Sequence, residues 1–172
     1  MKNHVDYSKI KGFILDVDGV LTDGSILAME DGSQIRIMNI KDGYALQLAV
    51  KCGYSVCIIS GGSSQGVRVR LQGLGIQHIY MGAGEKLPVF MEFLQSTGLK
   101  AEELIYIGDD MPDIPVMQQV GISIAPADAA ADVLKIADVI TDRPGGKGCV
   151  REVLESVLKV QGHWLHTDSF VW

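Results

Sequence analysis

Cysteine, clustered positive charge and long apolar runs are all scarce in this sequence, and each shortage removes a class of protein. Its 172 residues hold three cysteines. Cys52, Cys57 and Cys149 are an odd number with no C-x-x-C, which argues against a disulfide framework or a zinc site and for a reducing compartment. Fifteen basic side chains against 21 acidic ones give a formal charge of −6. No run of Lys or Arg interrupts that balance, so no nucleic-acid partner is expected. No stretch approaches the roughly 18 apolar residues of a membrane span. The polar start MKNHVDYSKIKG lacks the apolar centre of a signal peptide. The expected setting is the cytoplasm, with no membrane partner. A small anionic substrate stays open, because a metal or a local cation reverses the field inside one cleft.

What is present is apolar material. Hydrophobic residues make up 47% of the chain, enough for a full core in one domain spanning residues 1–172. Short apolar runs alternate with longer segments of helical period. The expected strands are Phe13–Val17, Ser55–Ile59, His78–Tyr80, Leu104–Ile107, Ile122–Ile124 and Val139–Ile140. Helices are expected at Gly43–Lys51, Ser64–Gly73, Glu85–Thr97, Ile114–Val120, Ala129–Lys135 and Gly148–Val160. This is the pattern of an α/β fold, a Rossmann-like three-layer sandwich around a mostly parallel sheet. Gly53, Gly75, Gly98 and Gly121 fall just past helix ends, where left-handed caps are expected.

One segment breaks the alternation. Residues 24–39 read as a β-hairpin, SILAM and QIRIM joined by Glu30-Asp31-Gly32-Ser33, with Asp-Gly as the turn signal. It is inserted at the carboxyl end of the first strand, where open α/β sheets bind ligands. It is placed to act as a flap over a site or to pair with a neighbouring subunit. Residues 162–172 form a tail with two His and two Trp.

The chemistry concentrates in a few strings. In Phe13-Ile14-Leu15-Asp16-Val17-Asp18-Gly19, an apolar strand runs into two acids and a turn. Alone this is a solvated strand end; two carboxylates sharing one small volume call for a cation, and hard oxygens suit Mg²⁺. Gly108-Asp109-Asp110-Met111-Pro112-Asp113 repeats the theme after the fourth strand. In a parallel sheet both strings end on one edge, so Asp109 can meet Asp16 and Asp18 around one metal. Asp110 and Asp113 then support from behind, or one of them caps the next helix. Ser60, followed by Gly61 and Gly62, offers a hydroxyl and backbone N–H groups to an oxyanion. Lys86 starts a helix, where the dipole disfavours a cation and a ligand anion would favour it.

Taken together, DVDGVLTDG, Ser60, Lys86 and GDDMPD resemble in order and spacing the four motifs of the haloacid dehalogenase superfamily of phosphotransferases, over the whole chain. The DVDGVLTDG form, the missing cap domain, Asn39 to Tyr44 and Gly145 to Gly148 resemble its small capless, tetrameric subfamily acting on 3-deoxy-D-manno-octulosonate 8-phosphate in lipopolysaccharide precursor synthesis. The resemblance implies Asp16 as nucleophile forming an aspartyl-phosphate and Asp18 as general acid and base. It implies Mg²⁺ on Asp16, Asp109 and the Asp18 carbonyl, with Ser60, Gly61 and Lys86 on the phosphoryl oxygens. It assigns sugar-acid binding to Asn39, Ile40, Lys41, Asp42, Gly43 and Arg70, in a homotetramer. Two positions depart from the subfamily: Gly62 and Gln47 stand where it often carries a cation. Lys41, Arg68, Arg70 or a neighbouring subunit's Gly145–Gly148 region are the candidates to compensate.

Other residues read as structure. The cysteines are core fillers, Met81, Met91, Met111 and Met117 line core or pocket, and His163 and His166 flank Trp164 in a packing tail. Competing functions are a related nonulosonate 9-phosphate phosphatase, a receiver-like signalling domain and a non-catalytic oligomerising module. A receiver carries a lone phosphoacceptor Asp after a middle strand and its Lys late, which is a different order from this one.

Overall fold

The structure is a computed structural model, and it describes residues 5–165 and 167–171; His166 and Trp172, named above with the tail, lie outside the described residues. The elements are β1 (Gly12–Leu15), a hairpin of β2 (Leu27–Ala28) and β3 (Gln34–Ile35), α1 (Ile40–Lys51), β4 (Ser55–Ser60), α2 (Gln65–Gly73), β5 (His78–Met81) and α3 (Lys86–Thr97). β6 (Leu104–Ile107), α4 (Ile114–Met117), β7 (Ile122–Ala125), α5 (Ala131–Ile136), β8 (Val139–Ile140) and α6 (Cys149–Val160) complete the chain. Six strands form one parallel sheet in the order β5-β4-β1-β6-β7-β8. The order matters because β1 lies between β4 and β6. The strand ends carrying Asp16, Ser60 and Asp109 are therefore neighbours.

Both faces of the sheet are covered. Phe13 and Leu15 of β1, Val56 and Ile58 of β4, and Ile105 and Ile107 of β6 point into a core shared with α1, α2 and α6. Ile14, Cys57, Ile59, Leu104 and Tyr106 point into the opposite core, with α3, α4 and α5. Alternation with both sides buried explains why these strands read as continuous apolar runs. α6 buries Cys149, Val150, Val153, Leu154, Val157 and Leu158 on one stripe, the helical period expected of a helix laid on a sheet. Among the described residues, no helix is long and apolar enough to cross a membrane.

Differences from the sequence reading are local. α1 starts three residues early because the Asn39 side chain accepts the Lys41 N–H at 2.8 Å and caps it. α4 is one turn, preceded by a tight turn at Met111–Asp113. Gly98 does cap α3 with φ +70°, and Gly53 and Gly75 also have positive φ. Gly121 does not; a side chain there would strike the Glu102 carbonyl, so close backbone approach is its role. The hairpin is present, but its ladder is only two residues per strand. Its Ile26, Leu27, Met29, Ile35 and Ile37 are exposed. The tail lies on α1 and α6: the Tyr44 hydroxyl donates to the Ser169 carbonyl, Lys51 donates to Val171 O, and the Arg151 guanidinium stacks 4.4 Å from the Trp164 ring centroid.

Candidate active site

A cleft of about 430 Å³ opens at the carboxyl edge of the sheet, lined by Asp16, Asp18, Ser60, Gly61, Gly62, Lys86, Asp109 and Asp110 among others. Asp16 follows β1, and its Oδ1 accepts the Val17 N–H at 2.6 Å. Its Oδ2 lies 3.0 Å from Lys86 Nζ. Lys86, the first residue of α3, has a side chain only 4% exposed and donates also to Asp113 Oδ1 at 2.6 Å. The cation that the helix dipole disfavours is thus held by two carboxylates.

Asp113 is fully buried and spent on structure. Its Oδ1 accepts from Lys86 and, at 2.6 Å, from the Tyr106 hydroxyl. Its Oδ2 accepts the backbone N–H groups of Asp109 and Asp110, at 3.0 and 3.2 Å. Asp110 is the capping acid, accepting the Met111 N–H at 2.8 Å. Asp109 differs from both. Its Oδ1 is buried and has no hydrogen-bond partner among the described residues.

Carboxylate oxygens of Asp16, Asp109 and Asp113 gather within 4.8 Å of one another. Burial, then the neighbouring Asp16 and Asp113, pushes Asp109 up to about 7. Burial and Asp113 push Asp16 up to about 6, against the pull of Lys86 and the Val17 N–H. For Lys86, burial works against the charge, but Asp16 and Asp113 overcome it and raise its pKa. A charge deficit at Asp16 and Asp109, with one orphaned oxygen, fits a hard divalent cation such as Mg²⁺.

Two glycine contacts make this convergence possible. Gly19 sits at φ +88°, and a Cβ there would fall inside the Asp109 carboxylate. Gly145 is equally tight against the Gly19 carbonyl, and the Gly146 N–H donates to Val20 O at 2.9 Å. The late glycines therefore brace the acidic loop of their own chain.

A family model described as haloacid dehalogenase-like hydrolase matches residues 79–152. The chain is 41% identical over 153 residues to 3-deoxy-D-manno-octulosonate 8-phosphate phosphatase KdsC of Salmonella typhi, covering 89% of this chain and 81% of that one. The chain belongs to the haloacid dehalogenase-like hydrolases. Within the family it stands with the phosphoric monoester hydrolases. The crystal structure of the Yersinia pestis octulosonate phosphatase superposes with a TM-score of 0.89 at 38% identity, covering 91% of this chain and 85% of that one. A Moraxella catarrhalis structure of the same enzyme, in complex with magnesium ion, phosphate ion and a KDO molecule, gives 0.89 at 35% identity, covering 96% and 93%.

In this hydrolase the residues expected to bind the sugar acid do not line the cleft of the single chain. Asn39 caps α1 and its amide donates to Gly146 O at 3.3 Å. Ile40 and Lys41 are exposed. Asp42 is buried and accepts the Arg151 N–H at 2.7 Å, tying α1 to the start of α6. The Arg70 guanidinium lies over Gly43, where a Cβ would come 2.6 Å from Nη2. Arg68 donates to the Ile79 carbonyl. Gly145 and Gly146 brace their own chain, and Lys147 pairs with Asp23 at 3.1 Å.

Two polar residues at the site escaped the sequence reading. Tyr106 is hidden inside the apolar run Leu104-Ile105-Tyr106-Ile107, where only its hydroxyl among apolar neighbours hints at a polar partner. Arg36 follows β3, and its Nε and Nη2 donate to Asp18 Oδ1 and Oδ2 at 2.6 and 2.9 Å. Alternation in Gln34-Ile35-Arg36-Ile37 shows that it faces away from its apolar neighbours, though not what it faces.

Proposed function

We propose that this hydrolase is a Mg²⁺-dependent phosphatase of 3-deoxy-D-manno-octulosonate 8-phosphate, releasing the free sugar acid and phosphate in lipopolysaccharide precursor synthesis in the cytoplasm. The observation that carries the reading is Asp16: a buried carboxylate at the inner wall of the cleft, bonded to Lys86 and beside the orphaned Asp109 oxygen. Asp16 attacks phosphorus in line and the ester bond to the sugar oxygen breaks, leaving an aspartyl-phosphate. This divides a slow hydrolysis into two steps. Asp18 gives its proton to the departing sugar oxygen, then takes one from the water that attacks phosphorus and frees Asp16. Ser60, which ends β4 buried, and the Gly61 and Gly62 backbone with Lys86 hold the phosphoryl oxygens. Asp16, Asp109 and the Asp18 carbonyl would hold Mg²⁺, with Asp113 behind them; the ion supplies positive charge for the developing phosphoryl charge.

The whole chain works as one hydrolase domain with the hairpin as its insertion. The hairpin's exposed Ile26, Leu27, Met29, Ile35 and Ile37, continued by Ile40, form an apolar surface that fits burial against another copy. A homotetramer follows from this reading, and in it Asn39–Gly43 and Arg70 are the segments that would meet sugar acid at a subunit boundary. A nonulosonate 9-phosphate is the second reading. Gly62 and Gln47, uncharged at positions where the subfamily often carries cations, take two cations from a carboxylate-binding pocket and so loosen the choice among sugar acids.

A phosphate-release screen with Mg²⁺ tests the proposal, comparing octulosonate 8-phosphate with nonulosonate 9-phosphates and common hexose phosphates. The highest kcat/KM is expected for octulosonate 8-phosphate. A higher value for a nonulosonate 9-phosphate moves the assignment to the second reading, and a higher value for a hexose phosphate overturns both.

A further inference from the structure

The Arg36 side chain is 5% exposed although it belongs to an exposed hairpin. Its guanidinium reaches from the hairpin to Asp18, a residue of the cleft wall, and makes a fork-to-fork pair with it. It also fills a specific space. A Cβ at Gly62 would lie 3.0 Å from Arg36 Nη2 and 3.1 Å from Asp18 Oδ2. Gly62 thus leaves open the volume that the guanidinium occupies.

Position decides what this cation is for. The phosphoryl end of the cleft already has Lys86, Ser60 and the glycine N–H groups. Asp18, given the phosphatase reading on which this inference rests, faces the leaving-group oxygen. Arg36, bonded to Asp18, stands on the leaving-group side. A substrate that is a sugar acid brings a second anion to that side, and a planar guanidinium matches a carboxylate in two parallel hydrogen bonds.

We propose that Arg36 is the carboxylate-binding residue of this enzyme, a cation delivered by the hairpin into the space that Gly62 vacates. In the resting chain it is held by Asp18 and, within the hairpin, by the backbone and side-chain oxygens of Gln34. The substrate carboxylate takes over the guanidinium, and both Asp18 oxygens are freed to face the ester. Acid recognition and release of Asp18 are then one exchange of ion pairs.

The test uses the full chain with Arg36→Ala, and that variant carrying Gly62→Arg as well. KM and kcat are measured for octulosonate 8-phosphate, for a nonulosonate 9-phosphate and for a pentose 5-phosphate, which has no carboxylate. Calorimetry measures binding of the two free sugar acids. Arg36→Ala is expected to raise KM for the preferred acid ester and weaken its free acid by at least about tenfold, while the pentose ester keeps its KM. Gly62→Arg in the Arg36→Ala chain is expected to recover most of the lost acid affinity. Equal changes for the acid and pentose esters, or free-acid binding that ignores Arg36, would overturn the assignment. Arg36-dependent acid binding in a chain that releases phosphate from none of the esters would overturn the phosphatase reading and leave Arg36 standing.

Discussion

Gly19 and Asp109 come together from different strand ends so closely that a single added methyl group would occupy the place of the Asp109 carboxylate. Gly19 also holds φ +88°, which costs an L-residue about 1–3 kcal/mol. Gly19→Ala is therefore expected to displace Asp109, lower kcat by at least roughly a hundredfold and weaken Mg²⁺ binding measured by calorimetry. Retained metal affinity would show that Asp109 is not a ligand.

Asp16→Asn keeps the shape of the side chain and removes its charge. Phosphate release is expected to vanish while the thermal midpoint is kept, because Lys86 retains Asp113 as its partner. Activity within about tenfold of the parent would contradict the nucleophile role.

Asp113 serves four donors with two oxygens. Asp113→Ala leaves the buried Tyr106 hydroxyl and the Asp109 and Asp110 backbone N–H groups without it, and Lys86 with one counter-charge. Loss of a buried partner of this kind costs about 3–5 kcal/mol, read as a lower urea midpoint. Tyr106→Phe removes one of those donors and is expected to cost about 1 kcal/mol. A larger loss from Tyr106→Phe than from Asp113→Ala would mean that the network is centred elsewhere.

Metal and pH are coupled through Asp16 and Asp109. Their folded values, about 6 and about 7, lie above the ordinary 3.8. Between about pH 4 and pH 7 the metal-free fold therefore holds protons that the unfolded chain has released. The contribution of these two groups to stability falls as pH rises through that window. A divalent cation favours the ionised forms, so Mg²⁺ is expected to raise the melting temperature more at pH 7.5 than at pH 5. An equal or larger rise at pH 5 would remove these carboxylates from the metal site. Chelator is expected to silence phosphate release, and Mg²⁺ to restore it.

Much of the site was legible because it is written where strands end. Asp16, Ser60 and Asp109 each terminate an apolar run, and a parallel sheet puts those ends on one edge, so reading the runs places the residues. Lys86 was visible as a cation at a helix start. Arg36 was not, because a polar side chain on an exposed two-residue strand has the same local pattern whether it meets solvent or Asp18. Asn39, Asp42 and Arg70 show the converse. Their residue types suit a sugar acid, yet within one chain capping and helix packing already occupy them.

The brace of Gly145 and Gly146 on the loop after β1 ties the acidic loop to a segment far along the chain. A chain cut short of Gly146 would carry Asp16 and Asp18 next to a loop without that brace. Such a fragment is expected to release little phosphate although every proposed reactive side chain is aboard.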